Sequence, residues 1–229
     1  CMHRSGQAAV AQRAMSALRC GTVHIEPNWL AGESLANVRG AAAQLLLERG
    51  TAGHVGRHAR LDTTARRCLT ADLLEDETLA ALGGKHPSLL DVLRQLDELR
   101  SEMARRGRSL LPHAEVQLLR YDPGGHYERH IDAGAGMAGK PVCRSVSLLL
   151  YLTPEDWSDR DGGKLRVFLP NEDDNGLAAS GHVHEEHLDI RPAAGTLLVF
   201  DSATVPHAVL PTARERIVCV AWFLSKRIT

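Results

Sequence analysis

The stretch Tyr121-Asp-Pro-Gly-Gly-His-Tyr-Glu-Arg-His130-Ile-Asp132 sets an imidazole and a carboxylate two residues apart, just after a Pro-Gly-Gly turn. On a β-strand, residues i and i+2 point to one face, so His130 and Asp132 can grip a single ion together. Two neutral imidazoles and one carboxylate on one face of an octahedron leave three positions open, which is the facial triad of non-heme Fe(II) oxygenases. A bidentate keto acid and then O2 can fill the open positions. The third ligand must come from a later strand, and His207, in Thr-Val-Pro-His207-Ala-Val, is the candidate.

An H-x-D pair is weak by itself. With 12 histidines in 229 residues, about one chance match is expected at ordinary Asp frequency. A second pair, His187-Leu-Asp189, is in fact present. Separation decides between them. His187 lies 20 residues before His207, too few for the strands of a barrel, whereas His130 lies 77 residues before it, room for about five strands. Arg216 then follows His207 inside Arg216-Ile-Val-Cys-Val-Ala-Trp-Phe. A guanidinium buried in such an apolar run needs an anionic partner, and none is local. A two-pronged bond to the distal carboxylate of 2-oxoglutarate (2OG) would supply it. Tyr151, closing Ser-Leu-Leu-Leu-Tyr151, can add its hydroxyl to the same carboxylate.

These residues need strands to hold them. Beyond residue 111 the apolar pattern has period two or runs continuously over short stretches, and predicts strands at 115–121, 127–132, 144–152, 163–169, 187–190, 195–201, 207–210 and 216–223. Before it, helical periodicity predicts helices over 34–50 and 88–106, the second with Pro87 near its start and Gly107 after it. A further strand is possible at 67–70. The expected class is α+β: a double-stranded β-helix, or jelly roll, of about eight strands with supporting N-terminal helices. Residues 26–229 read as a single domain, with helical support over 26–112 and the catalytic core over 113–229. Residues 1–25 read as a leader, for which disorder, a frayed helix, a piece of a transit segment and an artificial chain edge all stay open.

Bulk properties narrow the partners. The net charge is −1, and 44% of residues are hydrophobic, so no global field draws the chain to nucleic acid or an anionic membrane. No apolar run approaches the roughly 20 residues that cross a bilayer. Five cysteines, an odd number without a CxxC pair, suit reduced thiols and a cytoplasmic or nuclear location. Cys143 and Cys219 sit in apolar runs and read as small core residues. The run His182-Val-His184-Glu-Glu-His187 tempts a zinc assignment, but its Asn-, Asp- and Gly-rich surroundings favour a solvated loop. Asp201, Ser202 and His207 lack the G-x-S-x-G elbow of a hydrolase.

From Tyr121 to Phe223 the sequence resembles the prolyl 4-hydroxylase family of Fe(II)/2OG-dependent dioxygenases. The matching pieces are YDPGGHYERHID, RSVSLLLYLTPEDW, GGKLRVF, AAGTLLVFDS, and PHAV followed by RIVCVAWF. It is most similar to the intracellular, hypoxia-factor type, which carries Arg after the distal His where collagen-type enzymes carry Lys. The resemblance implies O2-dependent hydroxylation of a prolyl residue in a protein, with release of succinate and CO2. Fe(II) would sit on His130, Asp132 and His207, and the 2OG distal carboxylate on Tyr151 and Arg216. Tyr121 would line the cosubstrate pocket and Trp222 wall the iron site. Ascorbate as a reductant and a part in oxygen sensing follow from the same resemblance.

Alternatives remain beside each assignment. Tyr127 fits a core strand as well as the pocket, and Trp222 fits the core. Arg144 suits a substrate contact or a surface ion pair. An oxygenase of the same chemistry acting on a small molecule or free amino acid is the second reading, and a non-catalytic jelly-roll binding protein the third. A nucleic-acid demethylase would carry a second Arg where Trp222 stands, and a halogenating relative would lack Asp132. The substrate-facing loops, 51–67 and 133–143, stay unread.

Overall fold

The structure is a computed structural model that describes residues 2–53, 62–133, 141–169 and 186–227. Its helices are α1 (Met2–Arg19), α2 (Gly32–Arg49), α3 (Asp76–Lys85) and α4 (Pro87–Arg105). The strands are β1 (His24–Glu26), β2 (Thr51–Ala52), β3 (Leu69–Asp72), β4 (Ala114–Tyr121), β5 (Tyr127–His130) and β6 (Val142–Tyr151). They continue with β7 (Leu165–Phe168), β8 (His187–Ile190), β9 (Leu197–Asp201), β10 (His207–Val209) and β11 (Arg216–Lys226).

All strand pairings are antiparallel and fall into two sheets. The larger has the order β1-β9-β6-β11-β4-β3-β2 and the smaller β5-β10-β7-β8. Together they form the expected jelly roll. Side chains alternate across a strand, so each central strand of the larger sheet serves two cores. On β11, Ile217, Cys219, Ala221 and Phe223 join the core under the helices. Val218, Val220 and Trp222 join the core between the sheets. Both faces are covered, which explains why these strands read as continuous apolar runs instead of alternating ones.

Helix α4 starts with Pro87 at its first turn and buries Leu89, Val92, Leu96, Leu99 and Met103. The segment read as a leader holds α1 and β1 instead. Val10, Ala11, Ala14, Met15 and Leu18 are buried, α1 packs on α4, and His24 pairs with Val199 of β9. Alanines at 8, 9, 11, 14 and 17 lower the contrast between the faces of α1, so its periodicity is faint. Helix α3 was hidden by Gly83 and Gly84, each about 1 kcal/mol poorer than Ala in a helix. Cys219 is buried as expected, but Cys143 is only half-buried, near the Ser225 hydroxyl (3.3 Å). At Gly195 (φ 68°) a Cβ would lie 1.8 Å from the Leu30 carbonyl oxygen, so only glycine fits where α2's approach crosses the start of β9. Among the described residues no helix is long and apolar enough to cross a membrane.

Candidate active site

Strand pairing builds the candidate metal-binding group. In the antiparallel pair β5–β10, His130 and His207 are direct cross-strand partners. Their rings lie 4.2 Å apart, centroid to centroid, as expected for residues opposite one another on one face. The strand read as running to Asp132 ends at His130. Beyond it the chain leaves β10, and the Ala133 N–H donates to the Ser202 carbonyl at the end of β9 (2.9 Å). Asp132 is nevertheless turned inward. Its Oδ1 lies 3.5 Å from His130 Nε2 and its Oδ2 3.8 Å from His207 Nε2. One donor atom from each of the three residues falls within 4.8 Å of the others, the only such group among the described residues.

The tautomers are set by the backbone. His130 Nδ1 lies 2.8 Å from the Glu128 carbonyl oxygen and His207 Nδ1 3.0 Å from that of Val205. A carbonyl can only accept, so each Nδ1 carries the proton and each Nε2 presents a lone pair to the centre. Burial pushes His207 down to about 4, against the pull of the Asp132 charge, so the ring is neutral at pH 7, the form that ligates metal. Burial alone would raise the Asp132 carboxyl. The two imidazoles and the Ser147 hydroxyl outweigh it and hold the group far below the carboxylate range. The donors are thus two neutral nitrogens and one anionic oxygen, a set suited to Fe(II).

A cavity of about 170 Å³ adjoins this group, lined by both sheets. At its floor lies Arg216, with no solvent exposure and no hydrogen-bond partner for any of its three side-chain nitrogens. Its guanidinium carbon sits 5.1 Å from the ring centroids of both Tyr121 and Tyr151. The Tyr151 hydroxyl is also buried without a partner. Burial pushes that phenol up to about 12 against the pull of Arg216, so it is a donor at neutral pH. A buried guanidinium and a neighbouring buried hydroxyl, neither with a partner, suit an anionic planar acceptor such as a carboxylate. Gly163 stands against the Arg216 side chain. It has φ 64°, and a Cβ there would lie 2.9 Å from Arg216 Cδ.

Between floor and metal group, Leu119, Leu149, Leu165, Val209, Val218 and Val220 form an apolar belt. Tyr121 is buried and Trp222 nearly so, and both line the cavity. Tyr127 proves to be a pocket residue stacked on His130, with centroids 3.6 Å apart. Arg144 lies 3.6 Å over the Trp222 ring and is held by Glu115 at 2.8 Å, so it is an ion pair that also lines the cavity. Asp189 of the second H-x-D pair is engaged by Arg166 at 2.8 and 2.9 Å, and His187 is exposed. His182 and His184 lie outside the described residues.

Sequence reasoning missed Arg66, Gln117, Ser147 and Ser202. Gln117 and Ser147 share strand parity with residues already singled out, Gln117 with Tyr121 and Ser147 with Tyr151, so a period-two reading had the signal to find them. Arg66 follows an irregular segment and joins the cavity only through its β-bridge with Tyr127. That contact carries no local signature.

Residues 116–224 match the 2OG-Fe(II) oxygenase superfamily. The chain carries a 2OG-Fe(II) oxygenase domain. Its fold is similar to that of a prolyl-4-hydroxylase from Pseudomonas putida, at 26% identity and TM-score 0.71 over 96% of this chain and 99% of the other. It is also similar to a Trichoplax adhaerens prolyl hydroxylase solved with a hypoxia inducible factor peptide fragment (22% identity, TM-score 0.77, 96% and 90% covered). A non-heme alpha ketoglutarate dependent epimerase from nogalamycin biosynthesis shares the fold at 15% identity and TM-score 0.61, with 95% and 84% covered. The superfamily that residues 116–224 match uses Fe(II) with 2OG and O2. The donor set and the unpartnered guanidinium both fit that chemistry.

Proposed function

We propose that this oxygenase hydroxylates a prolyl residue of a protein or peptide. Fe(II) is held by His130, Asp132 and His207, and 2OG lies with its distal carboxylate on Arg216 and Tyr151. The observation that carries the reading is Arg216, a wholly buried guanidinium without a partner, in the same cavity as the two histidines and Asp132. A buried unpaired cation is costly, and a dicarboxylate cosubstrate is the ligand class that relieves the cost at every turnover.

When bound, iron and 2OG supply the oxidising chemistry, in which one atom of O2 ends in succinate and the other in the product hydroxyl. The chain's own residues orient and exclude. Arg216 and Tyr151 fix the far end of the dicarboxylate, so its keto-acid end points toward the metal-binding group. The apolar belt keeps water from the space between. Asp132 occupies the position that a halide takes in halogenating relatives, which favours hydroxylation. Tyr127 and Trp222 line the cavity with ring faces already engaged, Tyr127 by His130 and Arg66 and Trp222 by Arg144. A proline segment suits recognition because its fixed φ lowers the ordering cost of binding. The likeness to the Pseudomonas putida enzyme supports the prolyl substrate, and the peptide fragment held by the Trichoplax adhaerens enzyme supports a peptide one.

The epimerase likeness favours a second reading, the same oxygen chemistry turned on a small molecule. The deciding experiment incubates the protein with Fe(II), 2OG and prolyl peptides, and follows both succinate and peptide mass. Gain of one oxygen localised to proline supports the proposal. Succinate coupled only to oxidation of a small molecule moves the protein to the second reading.

A further inference from the structure

Asp132 is held from behind as well as from the metal side. The Ser147 hydroxyl lies 2.6 Å from Asp132 Oδ2, and the Ser202 hydroxyl lies 2.7 Å from that of Ser147. Both serines have zero exposure. An ionised carboxylate only accepts, so the single Ser147 proton goes to Asp132. Ser147 must then accept from Ser202, which fixes the direction of the chain as Ser202 to Ser147 to Asp132. Hydrogen bonds in such a chain strengthen one another in a dry interior.

The backbone makes the arrangement rigid. Ser147 sits on β6 between Trp222 of β11 and Phe200 of β9, its direct cross-strand partners. Ser202 is pinned at both ends: its N–H donates to the Ser145 carbonyl (3.2 Å), and its own carbonyl accepts from the Ala133 N–H (2.9 Å). The relay therefore belongs to the larger sheet, while both histidines belong to the smaller. It reaches across to Asp132, which lies past the end of β5, where no ladder holds it.

We infer that Ser147 and Ser202 are positioning residues for the metal. They engage Oδ2 of Asp132, leave Oδ1 for the ion, and hold the carboxylate to a one-oxygen grip that keeps a coordination position open. This rests on the proposed assignment of His130, Asp132 and His207 as ligands. Space filling alone would need neither the 2.6 Å contact nor a second buried hydroxyl aligned behind it.

The test uses Co(II) as the probe metal on the full chain, reading the dissociation constant and the visible ligand-field band, with the melting temperature of the metal-free protein alongside. Ser147→Ala is expected to weaken Co(II) by about ten- to a hundredfold, the usual effect of losing an outer partner of a ligand, and to alter the band. Ser202→Ala leaves the direct bond to Asp132, so a few-fold weakening is expected with little change in metal-free melting. His130→Ala is the control for the underlying assignment. If it binds Co(II) like the wild type, the metal site itself is misplaced. If it loses Co(II) while Ser147→Ala keeps the wild-type constant and band, the relay is overturned and the metal site stands. Should Ser147→Ala fail to fold, an unchanged constant in Ser202→Ala overturns the relay.

Discussion

Replacing Arg216 with methionine separates an anchor for the cosubstrate from a residue that holds the fold. Methionine matches the length and flexibility of the arginine stem and carries no charge. In the ligand-free protein the guanidinium has zero exposure and three nitrogens without partners. Leaving a buried polar group unsatisfied costs about 1–3 kcal/mol, and more when it is charged. Water reaching the cavity offsets part of this, so the net relief in the variant is set at about 1–3 kcal/mol. A chain of this size shifts by about 2–4 °C per kcal/mol, and the ligand-free variant should therefore melt several degrees above the wild type. With Co(II) present, 2OG at a hundred times its dissociation constant adds about 2.7 kcal/mol to the wild type. It should add almost nothing to the variant. Thermal melting with and without 2OG reads both effects in one experiment. A variant that melts lower than the wild type and still responds to 2OG would refute the anchor and make Arg216 structural.

Further outcomes follow from the same geometry. Isothermal titration should find a single tight metal per chain in the wild type and none in His130→Ala or His207→Ala, and wild-type stoichiometry in both variants would sink the ligand assignment. Gly163→Ala places a Cβ 2.9 Å from Arg216 Cδ at φ 64°. The left-handed conformation costs about 1–2 kcal/mol, and displacement of the arginine should raise KM for 2OG by about tenfold with kcat nearly kept; an unchanged KM removes Gly163 from the anchor. The pH dependence of the metal-free protein is also fixed in sign. Unfolded, the His207 ring protonates near 6.5, but in the fold only near 4. Between these values the unfolded state binds more protons, so stability rises with pH across that window, is complete above it and is lost below it. His207→Asn should flatten the melting-temperature slope from pH 4 to 6.5, and an unflattened slope would place the titration elsewhere.

The site was legible to the extent that it follows from strand parity and long-range spacing. The 77 residues between His130 and His207 left room for the strands that bring β5 beside β10. An arginine in an unbroken apolar strand could only be buried, and only an outside anion could complete it. What escaped notice has short-range structural causes. Asp132 was placed on a strand by its i+2 spacing, yet the strand stops at His130, because the Ala133 N–H goes to Ser202 instead of β10. Alanines spread around α1 gave little contrast to read, and β1 and β2 are three and two residues long, below any periodic signal. Arg66 enters the cavity by tertiary placement alone.

The division of labour between the sheets has an energetic consequence. The two histidines come from β5 and β10 of the smaller sheet, whereas Arg216, Tyr121 and Tyr151 come from β11, β4 and β6 of the larger. No strand ladder joins the two sheets among the described residues; they meet through a shared apolar core that includes Leu165, Val209, Val218 and Val220, and through a few polar links such as the Arg66–Tyr127 bridge and the Ala133 N–H to the Ser202 carbonyl. A metal on the histidines is tied to the larger sheet through Asp132 and Ser147. A dicarboxylate running from that metal to Arg216 would tie them again at the floor. Metal and cosubstrate would thus add polar staples across an interface held by non-directional apolar packing and only a few hydrogen bonds. Their stabilisation should then exceed the sum of each alone, because the first ligand already fixes the spacing that the second requires. Melting shifts for Co(II) alone, 2OG alone and both together measure this coupling. Strict additivity would show that the sheets are already held at their working separation without either ligand.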